Sequence, residues 1–272
     1  MRGGELYKVE GAGNDFLLGT GAWADRLASD PALVRRLCRR RLGLGADGTL
    51  AVFAEEGSAV RVVYRNSDGG EAAFCANGAR CAARAGVQLL EKPAELVVRT
   101  AWQDIPAEVH GSLVTLDLPA PPASPERLQL AAAGRQWEAW AVEVGVPHLV
   151  VPVAGDLGEL EVERWGPLLR AHPDLGPEGA NVSFVAATPG GAAVRSWERG
   201  VEAETLSCGS GVVATALVWM AGHDLGTLTC STRSGQALIV DALGTPPLCR
   251  ARLTGPAHFL ARITPTEELE GE

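Results

Sequence analysis

Lysine is almost missing from this sequence. Lys8 and Lys92 are the only two in 272 residues, and neither lies in a context that cradles phosphate. A pyridoxal-phosphate enzyme needs a lysine for its Schiff base, so that route to proton abstraction at an amino acid is disfavoured and no cofactor is expected. Cys-x-x-Cys is absent too, although there are six cysteines. Its absence removes the usual spacing of a structural zinc site, and no metal is expected. Without framework-like clustering, the same cysteines point to a reducing cytoplasm. No run approaches the roughly 18 apolar residues needed to span a bilayer. The opening MRGGELYKVEGAGNDF lacks the apolar core and small cleavage residues of a targeting segment. Positive charge is scarce, with a net charge of −9. The one dense basic stretch, Arg35 to Arg41, is interrupted by Leu37 and Cys38, as on the solvated face of an amphipathic helix. Neither nucleic acid nor a membrane is an expected partner.

What is present is ordinary globular material, 46% hydrophobic and 21% charged, long enough for one large domain or two smaller ones. Val-rich and aromatic stretches bounded by Gly, Pro, Asn or Asp predict strands at 59–64, 95–100, 113–118, 140–144 and 192–197. Helices are predicted at 31–41, 77–90, 162–172 and 209–221. The segment PAPPASP at 119–125 carries four prolines in seven residues, which suits neither a helix nor a central strand. It divides the chain into an expected first domain, 1–119, completed by the tail 263–272, and a second, 125–262.

The two halves repeat one another weakly. VRVVYRNSDGGEAAFCANGARCAARAG in the first answers to AVRSWERGVEAETLSCGSGVVATALVWMAG in the second. Each has a strand, a polar turn, Glu-x-x-x-Cys-x-[Asn/Ser]-Gly and an apolar helix. Glu71, Cys75 and Gly78 thus correspond to Glu204, Cys208 and Gly211, and the duplication predicts two similar domains. Each cysteine directly precedes a helix, where unpaired amides and the helix dipole favour thiolate. Small residues after each one let an anion approach those amides. Two equivalent thiols flanking one carbon could remove a proton from one face and return it to the other. Helix N-termini would stabilise the developing enediolate charge. Two other classes remain open at this point: a thiol redox protein, and a cysteine hydrolase using Cys208 with His148. Asn14 also reads as a turn residue in the left-handed region, and Glu71 and Glu204 read as helix-capping carboxylates. Cys38, Cys81, Cys230 and Cys249 read as buried structural thiols.

The sequence resembles the diaminopimelate epimerases over nearly its whole length. KVEGAGNDF, GLGADGT, RNSDGGEAAFCANGARC, GVPH, GANVSF, WERG, ETLSCGSG and LTGPA carry the likeness. The resemblance implies two pseudo-symmetric α/β (α+β) domains, each a curved, mostly antiparallel sheet wrapped around a central helix, with the active site in the cleft between them. It implies a cofactor-independent isomerase of a small amino-acid substrate in lysine and peptidoglycan precursor synthesis, usually a homodimer. Cys75 and Cys208 would be the acid/base pair. Backbone amides at Ala76, Asn77, Gly209 and Ser210 would hold the carboxylate at the reacting centre. Asn14, Asn66, Asn181, Glu198 and Arg199 would bind the substrate's amino and carboxylate groups, and His148 and Glu198 would bias the thiol pKa values. Three places depart from the family pattern: Val146 where it has Asn, Ala76 where it has Gly, and Glu202-Ala203 where it has one Gly. They keep open a racemase or epimerase of the same mechanism acting on another amino acid.

Overall fold

The computed structural model describes residues 5–270. The first four residues and the last two, the ends of the opening segment and tail considered above, lie outside them. Two compact units emerge, one running to Leu116 and resuming at Gly255, the other spanning Asp117–Thr254.

The first unit is a sheet with the strand order His258–Ile263, Leu6–Gly11, Asn14–Gly19, Gly48–Ala54, Ala59–Asn66, Glu95–Arg99, Asp104–His110 and Leu113–Leu118. All neighbours are antiparallel except the third with the fourth and the fifth with the sixth. Helices α1 (Ala22–Ser29) and α2 (Pro31–Cys38) pack over an outer face, burying Leu27, Leu33, Val34 and Leu37. Asp30 starts α2 by accepting from the amides of Ala32 and Leu33, with proline at the first helical position. Helix α3 (Ala76–Leu89) packs on six strands of the sheet. Its alanines and glycines permit that closeness: a Cβ on Gly78 would lie 2.9 Å from Leu50 Cδ2.

The second unit has the order Glu126–Ala132, Arg135–Val144, Val146–Pro152, Asn181–Thr188, Gly191–Glu198, Thr227–Thr232, Ala237–Leu243 and Arg250–Pro256. Again the third and fourth strands are parallel, as are the fifth and sixth. Helix α4 (Val162–Arg170) packs outside, burying Trp165 and Leu169 in a core with Trp137, Phe184 and Trp197. Helix α5 (Gly209–His223), apolar around its whole circumference, is the central helix; such a helix must be surrounded by protein. The expected curved sheet around a central helix is therefore present in each unit, with the same strand order.

Several boundaries differ from those predicted. Helix α2 stops at Cys38 rather than at residue 41, because Arg41 adopts φ 72° and the amides of Leu44, Gly45 and Ala46 turn back onto Leu37 and Cys38 carbonyls. The opening GAGNDF forms a tight hairpin in which Ala12 and Gly13 take the positive φ values, 56° and 89°, and Asn14 begins a strand. Among the described residues, no helix is long and apolar enough to cross a membrane.

Candidate active site

Cys75 and Cys208 occupy matching places. Each is the N-cap of its unit's central helix, in extended backbone conformation (φ −143° and −111°). Each follows a short strand, Glu71–Ala72 or Ala203–Thr205, paired onto the fifth strand of its sheet. The first amides of a helix lack intrahelical partners. Gly78 N–H uses this freedom to donate to Cys75 Sγ at 3.4 Å. Ala76 and Gly209 are the first residues of α3 and α5. Ala76 is absent from the positive-φ positions, so its methyl group is accommodated without strain.

Around Cys75 the side chains form a directed network. Arg80 Nη2 donates to Asn77 Oδ1 at 2.8 Å, Asn77 Nδ2 donates to Asn14 Oδ1 at 3.3 Å, and Asn14 Nδ2 donates to Asp47 Oδ2 at 2.7 Å. Arginine can only donate and a carboxylate can only accept, so the two ends fix the orientation of both amides between them. Cys75 Sγ lies 3.7 Å from Asn14 Oδ1. A cavity of about 230 Å³ opens on Cys75, lined also by Leu50, Tyr64, Phe74 and Gly78. Asn66 ends the strand Ala59–Asn66, its backbone N–H bound to Gly70 O at 2.8 Å.

In the second unit, Cys208 Sγ lies 3.7 Å from Ser210 Oγ. Asn181 begins a strand, stands beside His148 in the sheet register and accepts the Arg199 backbone N–H at 2.8 Å. Glu198 ends its strand and accepts from Thr205 Oγ1. The Arg199 guanidinium is paired with Glu178 at 2.9 Å. His148 is fully buried, and neither ring nitrogen has a hydrogen-bond partner among the described residues. Burial, and then the positive charge of Arg199, push its pKa down to about 3. Its imidazole is therefore neutral near pH 7 and acts on its surroundings as a dipole, not a cation.

The capping reading of Glu71 and Glu204 is not what the side chains do. Glu71 pairs with Arg65 at 3.4 Å, and Glu204 is clamped by Arg195 and Arg233, each at 2.6 Å. Glu202, in the two-residue replacement of a glycine, takes φ 53° and binds Arg170 at 2.7 Å. All six cysteines are free. Burial pushes Cys38 and Cys230 up to about 12 and Cys81 higher still, as inert structural thiols require. Among the described residues no cluster of His, Cys, Asp or Glu could hold a metal ion. Sequence reasoning missed Asp47 and Arg80. The available signal for Arg80 was an arginine among Ala, Gly and Cys with no acidic residue within α3 to pair with it.

Comparison with known proteins matches the sequence to a family. The sequence model for diaminopimelate epimerase matches residues 6–114 and 140–246. The diaminopimelate epimerase of Aquifex aeolicus is 34% identical over 251 residues, covering 87% of this chain and 89% of that protein. That of a Synechococcus strain is 37% identical over 231 residues, covering 77% and 80%. Among solved structures, a hydroxyproline epimerase from Agrobacterium vitis, with trans-4-hydroxy-L-proline bound, superposes with TM-score 0.71 at 16% identity, covering 96% of this chain and 90% of that one. A phenazine biosynthesis protein of the PhzF family from Bacillus anthracis gives TM-score 0.71 at 15% identity, covering 95% and 97%. At such identities these two speak for the fold alone. With the family match spanning most of its length and curated relatives above 30% identity, this chain belongs to the diaminopimelate epimerase family.

Proposed function

We propose that the protein interconverts LL- and meso-diaminopimelate by cofactor-independent transfer of the α-proton between two cysteines. In either direction one of Cys75 and Cys208, as thiolate, takes the proton. The other, as thiol, donates one to the opposite face, so the pair ends with its protonation reversed. The α-carboxylate would sit on the amides of Ala76, Asn77, Gly209 and Ser210, where enediolate charge meets preorganised donors as it develops. Asn14, Asn66, Asn181, Glu198 and Arg199 would bind the remaining polar groups, Arg199 exchanging Glu178 for the distal carboxylate. His148, neutral, and Glu198 would tune the thiols by hydrogen bonding and charge. The observation that carries the reading is the repeated placement of a cysteine at the N-cap of a central helix, in a member of this family. We place the enzyme in the cytoplasm, as a homodimer, in the supply of lysine and cell-wall precursor. Sedimentation of the purified protein tests the dimer.

The test of the reaction is proton NMR of the reduced enzyme with LL-diaminopimelate in deuterium oxide, followed by stereoisomer analysis. Loss of the α-proton signal with meso product is the expected result, and no exchange would refute the assignment. Val146, an apolar side chain where the family pattern has asparagine, favours one second reading: the same proton transfer on an amino acid with a different distal group. Relative rates on diaminopimelate, ornithine, lysine and glutamate separate the two, and a preference for diaminopimelate by several orders of magnitude removes the second.

A further inference from the structure

Asp47 directly precedes the strand Gly48–Ala54 and ties together two segments that carry candidate site residues. Its N–H donates to Asp15 O at 2.9 Å, and its carbonyl accepts from Ser67 N–H at 3.0 Å, next to Asn66. The main chain thus holds Asp47 from both sides. Its carboxylate takes three donors. Asn14 Nδ2 at 2.7 Å and Asp15 N–H at 3.3 Å reach Oδ2, and Arg40 Nη2 at 2.9 Å reaches Oδ1. Arg40 also binds Asp15 Oδ1 at 2.8 Å, which fixes the carboxylate relative to the strand that Asn14 begins.

An asparagine amide has one accepting and one donating end of nearly equal shape, so its partners decide which end faces a third group. Asp47 can only accept, and it takes the nitrogen of Asn14. The oxygen is left toward α3, where Asn77 Nδ2 donates to it at 3.3 Å and the Cys75 thiol at 3.7 Å. Of the two amide contacts that orient Asn14, the bond to Asp47 is the shorter and the charge-assisted one, and so the stronger anchor. We propose that Asp47 is a positioning residue for the proton transfer: by binding the Asn14 nitrogen it turns the Asn14 oxygen onto Cys75, as the acceptor of that cysteine's S–H. The inference rests on the reading of Cys75 as one of the acid/base pair. An acceptor at the sulfur favours the thiol, the form in which Cys75 would give its proton to the substrate carbon.

Two features limit the size of the effect. Asp47 is 44% exposed, so water competes for its bonds. Gly78 N–H donates to the Cys75 sulfur at 3.4 Å, which favours the thiolate. The contribution of the Asp47–Asn14 pair is therefore a shift of about half to one pH unit in the ionisation of Cys75. The other ionisable groups that bear on this sulfur are Arg80 and Cys81 on α3, with Tyr64, Arg61, Glu71 and Arg99 around its cavity. All of them are kept in the variants that test the proposal.

The test is alkylation of the reduced, full-length protein by iodoacetamide from about pH 5 to 10, with the Cys75 peptide followed by mass spectrometry. Asn14→Ala should lower the pH at which Cys75 reaches half its limiting rate by about half to one unit. Asp47→Ala should lower it comparably. The double variant should fall no further than Asn14→Ala alone, because Asp47 acts through Asn14. Asp47→Asn should keep the midpoint of the unaltered protein, since its amide oxygen still accepts from Asn14 Nδ2 and Asp15 N–H. A direct effect of the Asp47 charge would lower the midpoint in Asp47→Asn as much as in Asp47→Ala, and would add to that of Asn14→Ala; either result overturns the proposal. So does an unmoved midpoint in a folded Asn14→Ala protein, whether or not Asp47→Ala folds. A merely structural role would change the limiting rate and leave the midpoint in place. Because alkylation needs no substrate, failure of the epimerase reading would appear separately, as absent α-proton exchange in the unaltered protein.

Discussion

The two cysteine-bearing helices share a frame and differ in filling. Both are encircled by sheets of the same strand order, and both begin at an N-cap cysteine after a short strand. At the start of α3, however, a chain of hydrogen bonds runs from buried Arg80 and Asn77 through half-buried Asn14 to exposed Asp47. Helix α5 buries Val212, Val213, Ala216 and Leu217, and its neighbour His148 is buried neutral. Duplication supplied a thiol at the matching place in each unit.

The sharpest way to break the comparison is to remove one thiol. Cys75→Ser and Cys208→Ser should each lower epimerisation by about a thousandfold or more, because a serine hydroxyl is a far weaker acid than a thiol and the proposed transfer uses both groups in either direction. Comparable kcat losses in both, measured by stereoisomer analysis, would uphold equivalence of role. A Cys75→Ser protein with full activity would favour a hydrolase using Cys208 alone. The next largest effect should distinguish the paired glutamates. Glu204 is 4% exposed and bridges two arginines, whereas Glu71 is 51% exposed with one. Glu204→Gln should destabilise by about 2–4 kcal/mol, for it leaves Arg195 buried without its partner. Glu71→Gln should cost about 0–1 kcal/mol. Denaturant unfolding of the two variants checks this.

The duplication was legible because it lies in local order: Glu-x-x-x-Cys, then a small-residue helix start. Strand Leu113–Leu118 was read at its observed bounds because its alternation is strict, with Val114, Leu116 and Leu118 all buried. Long-range pairing is what the sequence hid. Glu204 looked like a cap because it precedes a helix, yet its partner Arg233 is 29 residues away. Arg80 lay in an Ala-rich helix that gives no sign of being enclosed, since the enclosing strands come from segments distant in sequence. Ala12 carries a positive φ that asparagine or glycine would have advertised, so the alternative turn reading fell on Asn14 instead.

A titration probes the neutral histidine of the second unit. With its pKa lowered from 6.5 to about 3, His148 binds its proton more readily in the unfolded chain. Stability should therefore be intact above about pH 6.5 and fall as the pH drops toward 3, by up to about 1.4 kcal/mol per pH unit. His148→Asn should flatten that part of the stability profile, and an unchanged acid limb would show that other groups dominate it. NMR of the native protein should find no His148 titration between about pH 5 and 8.

The smallest expected effect compares the glycines one turn beyond each cysteine. A Cβ on Gly78 would meet Leu50 Cδ2 at 2.9 Å, the far end of a flexible side chain, and would stand 3.6 Å from Cys75 Sγ. On Gly211 it would lie 2.6 Å from Ser183 Oγ and 3.2 Å from Cys208 Sγ. Ser183 is fully buried and 3.3 Å from Ser196 Oγ, so it has little room to yield. Overpacking of this kind costs about 1–3 kcal/mol, and the crowding falls on the Cys208 sulfur itself. Gly211→Ala should therefore lower both stability and kcat, while Gly78→Ala should cost less than about 1 kcal/mol as Leu50 changes rotamer. Equal losses in the two variants would mean that the frame around the thiols, and not their filling, sets how closely each sulfur is held.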